Sequence, residues 1–118
     1  MFGGENISNN KFSSRTVLND VKVLDLQEKS WKTIAPDSNF ITPRRNHTCV
    51  AIRDQMYIHG GLGESGHVLN DFWKFNLKLY TWQKFELIGD AFPCLASHTM
   101  NYVETSTSVR DQSFWLPI

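Results

Sequence analysis

The string Gly61-Leu62-Gly63-Glu64-Ser65-Gly66 has the spacing G-x-G-x-x-G. That spacing cradles a pyrophosphate when a helix starts at its end. Here it runs into His67-Val68-Leu69-Asn70-Asp71-Phe72-Trp73, which reads as a loop feeding a strand. Without a helix N-terminus there is no row of free N–H groups for a phosphate, so the string is read as an inter-strand loop. The four histidines, His47, His59, His67 and His98, include no pair at the i, i+4 spacing of a helical metal site. Cys49 and Cys94 lack CxxC spacing and are read as reduced thiols. Serine, histidine and aspartate are present, but nothing converges them into a triad, and there is no G-x-S-x-G elbow. No catalytic, cofactor-binding or metal-binding residue is assigned. Arg44-Arg45 is the one local basic concentration, with Lys32 upstream and Arg53 downstream. It reads either as a contact for an acidic peptide or as a loop in which one Arg bridges neighbouring structural units. Aromatics are not interleaved with it for base stacking.

The elements that position these residues follow from composition first. The 118 residues are 41% hydrophobic and 13% aromatic, enough for one domain with a core. Twelve basic and twelve acidic side chains leave a net charge of zero. No field steers such a chain to nucleic acid or an anionic membrane, and no apolar stretch is long enough for a transmembrane helix. Met1-Phe2-Gly3-Gly4-Glu5-Asn6 has neither the basic nor the apolar region of a secretory signal. The expected location is the cytoplasm.

A repeat organises the chain. Val17-Leu18-Asn19-Asp20 returns as Val68-Leu69-Asn70-Asp71, an offset of 51. At the same offset Leu26 maps onto Leu77, Trp31 onto Trp82, and His47-Thr48 onto His98-Thr99. Gly3-Gly4 maps onto Gly60-Gly61 at an offset of 57, which places a longer loop before Val17 in the first copy. Within a copy the grammar is that of short strands. His47–Arg53 is one run, turned at Asp54-Gln55; Gln55–His59 is a second, stopped by Gly60-Gly61. Asp71–Leu79 is a third, turned at Tyr80-Thr81, and Trp82–Leu87 a fourth. In the third, Trp73, Phe75, Leu77 and Leu79 share one face and Phe72 lies on the other. A sheet apolar on both faces is sandwiched between neighbours, and four strands in a period near fifty point to a propeller blade.

These residues resemble the kelch repeat. The match lies in Gly60-Gly61 after Met56-Tyr57-Ile58-His59, in Asn70-Asp71, in Trp82, and in Pro43-Arg44-Arg45-Asn46-His47 before the first strand. The repeat landmarks are Gly3, Gly4, Asp20, Trp31, His47, Gly60, Gly61, Asp71, Trp82 and His98. Paired glycines permit positive φ and close approach of strands. The Trp fills the space between blades. The repeated His47 and His98 are expected to hydrogen-bond backbone within the repeat.

The expected fold is all-β, a partial kelch-type propeller of antiparallel four-stranded blades. Residues 1–34 form an incomplete blade with its second to fourth strands, 35–46 an inter-blade loop, and 47–88 a complete blade. Residues 89–97 form a second inter-blade loop, and 98–118 the start of a third blade, where Leu116-Pro117-Ile118 replaces the glycine pair. That is about 2.3 repeats, against four to eight blades in a closed ring, so the chain reads as a fragment of a larger propeller. Self-association or a second chain is another way to complete a ring, and an open stack a third.

The loops Glu5–Val17, Ala35–Asn46, Gly61–Leu69 and Gly89–Ser97 are the polar, Gly/Pro/Asn/Ser-rich segments, expected on one face of the ring. Function concentrates on such loops. Candidate partner contacts are Arg15, Arg44, Arg45, Asn46, Glu64, Ser65 and His67. The resemblance implies a non-catalytic protein–protein interaction module, a scaffold or adaptor, whose partner is another protein or peptide. Two alternatives stay open: part of a propeller enzyme such as a copper oxidase or a lyase, and the substrate-recognition part of a ubiquitin-ligase adaptor.

Overall fold

The computed structural model describes residues 1–7, 15–35, 40–86, 88–89, 93–104 and 113–114. Among these every element is a strand: β1 (Glu5–Ile7), β2 (Arg15–Val17), β3 (Val21–Asp25), β4 (Ser30–Ile34), β5 (Thr48–Ile52), β6 (Gln55–Leu62), β7 (Val68–Asn76), β8 (Trp82–Lys84), β9 (Asn101–Tyr102) and β10 (Ser113–Phe114). Strands β5 to β8 form one antiparallel four-stranded sheet in chain order. This is the meander expected of consecutive runs joined by turns.

The first copy is built in the same way. Met1 and Phe2 lie along β3, with Phe2 bridged to Val21 and the Lys22 N–H donating to the Met1 carbonyl at 2.9 Å. Beyond Gly3-Gly4 the same segment continues as β1, paired with β2 from Glu5↔Val17 to Ile7↔Arg15. β3 pairs with β4, and β9 with β10.

The glycine pair does not stop a strand, as the sequence suggested. β6 runs through Gly60 and Gly61 with a bulge between His59 and Gly61, then pairs again at Gly61↔Leu69 and Leu62↔Val68. Gly60 has φ 65 and Gly61 φ 101, and Gly3 and Gly4 repeat these values at 65 and 96. The bulge lets another chain segment cross close above: the Gly61 N–H donates to the Leu95 carbonyl at 2.8 Å, and the Gly4 N–H to the Arg44 carbonyl at 2.9 Å. A Cβ at Gly3 would come within 2.9 Å of the Arg44 carbonyl, and one at Gly60 would overlap the Leu95 carbonyl. Each connection between copies is thus pinned onto the bulge of the copy before it.

Strand limits shift in physically legible ways. The first hairpin turns at Arg53-Asp54, with Ile52 facing Gln55 and Arg53 at φ 53. The third strand starts at Val68 rather than Asp71, because the post-bulge pairing extends it, and it ends at Asn76. The Asn76 side-chain oxygen accepts the Lys78 and Leu79 N–H groups, both at 2.9 Å. This Asx turn bends the chain away, so Leu77 and Leu79 do not share the face of Trp73 and Phe75; Leu79 is 71% exposed. In the first copy Asp25 accepts the Gln27 and Glu28 N–H groups in the same arrangement. Of the expected His98–Glu104 strand, Asn101–Tyr102 pairs. Leu116, Pro117 and Ile118 lie outside the described residues.

The core sits between the first copy and the four-stranded sheet. Phe2, Val21 and Ile41 pack with Met56, Ile58, Phe75 and Trp82, flanked by Ile34 and Trp73. Trp82 meets Phe2 edge-to-face at 5.0 Å and lies 4.8 Å from Phe75. The opposite face of the sheet carries its own aromatic group, with Phe72 at 5.4 Å from Phe85 and Tyr57 stacked on Phe85 at 6.1 Å.

Candidate functional site

Arg44 does not lie on the surface that the sequence offered to a partner. Its side chain is fully buried. Nη1 donates to Asp71 Oδ1 at 2.6 Å and Nη2 to Asp71 Oδ2 at 2.7 Å, a bidentate pair. Nη1 also donates to the Gly60 carbonyl at 3.0 Å, and Nε to the Thr42 carbonyl at 3.1 Å. Trp73 Nε1 donates to Asp71 Oδ2 at 2.7 Å. Burial pushes the Asp71 carboxyl up, but the Arg44 hydrogen bonds and charge and the Trp73 N–H outweigh it, and its pKa falls below 3.8. Arg44 and Asp71 therefore tie the inter-copy connection to β7. Asp20, the counterpart of Asp71, faces Lys22 at 3.8 Å instead.

Of the remaining candidates, Arg45, Glu64, Ser65 and His67 fall where β6 passes into β7. Arg45 exchanges both backbone hydrogen bonds with Leu62, the last residue of β6. That register brings Arg45 beside the loop 63–67, which is shorter than expected because Leu62 and Val68 are paired. Glu64, Ser65 and His67 are exposed on this loop. Ser65 Oγ lies 2.6 Å from His67 Nδ1, and the Gly63 N–H donates to the His67 carbonyl at 3.0 Å. The His67 ring lies so close over Gly63 that a Cβ there would be 2.8 Å from its Nε2. The Arg45 side chain is 26% exposed, and its Nε stands 3.6 Å from Glu5 Oε2. Arg15 begins β2 opposite Ile7. Asn46, at φ 56, is exposed and bridges to the next connection: its Nδ2 donates to Ser97 Oγ at 3.1 Å, and its carbonyl accepts the Ser97 N–H at 2.8 Å.

Three histidines sit at the junctions between copies. The His47 ring is hydrogen-bonded to the Phe2 backbone and stands edge-on to the Phe2 ring at 5.1 Å. The His98 ring is likewise bonded to the His59 backbone and meets the His59 ring at 4.9 Å. Both rings reach back to the preceding copy's second strand, not within their own blade. His98 Nε2 also lies 2.9 Å from His59 Nδ1 and 3.1 Å from Thr48 Oγ1. Burial pushes the pKa of His47 and of His59 down to about 4, with Arg44 adding to the effect on His47 and His98 to that on His59. Burial lowers His98 as well. Among the described residues, no three of His, Cys, Asp and Glu gather as metal ligands would.

Sequence reasoning missed Glu5, Ser97 and His59. Ser97 shares no residue type with Asn46, and only the 51-residue offset marks the pair. Glu5 meets Arg45 through the fold alone.

A family model described as the KLHDC2/KLHL20/DRC7 Kelch-repeats domain matches residues 1–109. Human Kelch domain-containing protein 3 is 30% identical over 97 residues, covering 80% of this chain and 25% of that protein. Kelch domain-containing protein 10 of Mus musculus is 36% identical over 72 residues, 57% of this chain and 16% of that protein. Tip elongation aberrant protein 3 of Schizosaccharomyces pombe is 34% identical over 65 residues, 55% of this chain and 6% of that protein. The chain spans about a quarter of the length of the first of these relatives and less of the others.

Proposed function

Given that the chain belongs to the kelch-repeat family, we propose that it is a non-catalytic protein-interaction module that acts as a cytoplasmic scaffold or adaptor. It takes an acidic segment of its partner at the end of the sheet where Arg45, Asn46 and the loop 63–67 meet. The observation that carries this reading is the Arg45–Glu5 pair. At 3.6 Å and partly exposed, it is long for an ion pair and open to exchange. A partner carboxylate competing with Glu5 gains the guanidinium, while Asn46, Ser65 and His67 supply hydrogen-bonding groups beside it. With Arg44 buried, Arg45 alone supplies the cation of the sequence pair.

The test is selection of displayed peptides on the purified chain, followed by titration of an enriched acidic peptide. Arg45→Ala is expected to weaken binding at least tenfold. Glu5→Gln is expected to strengthen it, because the internal competitor is gone. Acidic peptides that bind equally well to wild type and Arg45→Ala would overturn the reading.

A further inference from the structure

At both junctions between copies the repeated histidine ring packs on a ring of the preceding copy, and the two junctions differ in what that ring is. At the first, a buried Phe2 ring faces His47. At the second, the equivalent residue after the glycine offset is His59, and it faces His98. An edge-to-face aromatic contact has thus become a contact between two titratable rings. Both rings are buried, and His59 Nδ1 and His98 Nε2 stand 2.9 Å apart. At that distance the neutral pair holds one proton between the two nitrogens. A second proton placed there sets N–H against N–H. Placed instead on His59 Nε2 or His98 Nδ1, both buried atoms, it makes an imidazolium inside the junction. Among the described residues, Arg44 opposes a positive charge on His59 and Asp71 favours it, while His47, itself titratable, is electrostatically coupled to His98. Arg44 and Asp71 are each other's bidentate partners, so they act on His59 with opposite signs, Asp71 the more strongly. Thr48, from β5, offers only a hydroxyl.

Ser97 immediately precedes His98 and is held by Asn46 through two hydrogen bonds. Moving His98 out of the junction pulls on that tie. We propose that the His59–His98 contact is an acid-operated latch: proton uptake opens the junction between the four-stranded sheet and the segment carrying β9, and releases Ser97 from Asn46. The effect on partner binding at Asn46 rests on the function proposed above; the latch itself does not.

The test follows the ring Cε1–H signals of His59 and His98, with the amides of Ser97, Asn101 and Tyr102, by NMR from pH 7.5 to 3.5. The amides of β5 to β8 serve as the internal reference. In the wild type, the 97–102 amides are expected to leave their folded positions below pH 6.5 while the reference amides hold, with a transition steeper than one proton. His59→Phe recreates the first junction's contact and is expected to move that transition about one pH unit lower and to limit it to one proton. His98→Phe, which removes the other ring, gives the same comparison where His59→Phe does not fold at pH 7.5. Loss of all amides together, an unchanged transition in the variant, or His98 titrating near 6.5 with Asn101 and Tyr102 undisturbed would each overturn the latch. Peptide titration at pH 7.5 tests the partner site separately, since the latch is closed there.

Discussion

At the scale of single residues, the Arg44–Asp71 pair shows how a surface reading of a charge becomes a structural one. A fully buried guanidinium is tolerated because its donors are spent on the Asp71 carboxylate and the Gly60 and Thr42 carbonyls. Removing one partner strands the other. Arg44→Ala is expected to destabilise the fold by about 3–5 kcal/mol in urea denaturation. Arg44→Leu with Asp71→Leu, which imitates Leu95 at the equivalent connection, is expected to recover most of that loss. If the double variant were no better than Arg44→Ala, the cost would lie in lost packing rather than in an uncompensated charge. The pH dependence has a fixed sign. Asp71 has a folded pKa below its ordinary 3.8, so its contribution is fully present above 3.8 and is lost as pH falls through the lower folded value. Stability curves of the wild type and of Asp71→Asn should therefore converge in strong acid.

At the scale of elements, the strands were largely legible from the sequence and their ends were not. Alternation and aromatic content placed β5 to β8 within a few residues, because side-chain patterning reports burial, which tertiary packing then fixes. The ends depend on backbone devices that leave a weaker trace. Lys29 and Tyr80 both adopt positive φ, at 53 and 57, as do Asn46 and Ser97, at 56 and 57. Each pair is separated by the repeat offset, yet no pair shares a residue type, so the repetition lies in conformation and not in letters. The Asx turn shows the same thing: Asp25 and Asn76 differ in charge and share only the oxygen that accepts two N–H groups. Asn76→Asp is accordingly expected to leave stability nearly unchanged, and Asn76→Ala to cost about 1 kcal/mol by urea denaturation. A loss as large in Asn76→Asp as in Asn76→Ala would mean that the side-chain oxygen does not hold this turn. Of the candidate contacts, the register of Arg45 with Leu62 gathers those on one loop end, and that register follows from the glycine bulge, which the sequence had read as a stop.

At the scale of the whole molecule, stability rests on how one copy covers the next, and identical landmarks need not contribute equally. Trp82 is 6% exposed, enclosed by Phe2, Phe75 and Trp73. Its counterpart Trp31, opposite Leu24 in the β3–β4 hairpin, is 57% exposed. The difference is not in the residue or in its strand, since both are Trp at the same step of the repeat. It lies in the cover: Phe2 and Val21 of the first copy close over Trp82. The energy of a buried aromatic comes from area removed from water and from contacts that a cavity cannot replace. Trp82→Ala is therefore expected to destabilise by about 3–5 kcal/mol, and Phe2→Ala by a similar amount because it opens the same contact. Trp31→Ala should change stability by less than about 1 kcal/mol in the same chain. The double variant Phe2→Ala/Trp82→Ala should cost less than the two single losses together, since the rings touch. Strict additivity would place the coupling of the two copies elsewhere. A large loss at Trp31 would show that a further blade, from a second copy of the chain, covers that face in solution, which sedimentation of the wild type would then register as a concentration-dependent mass.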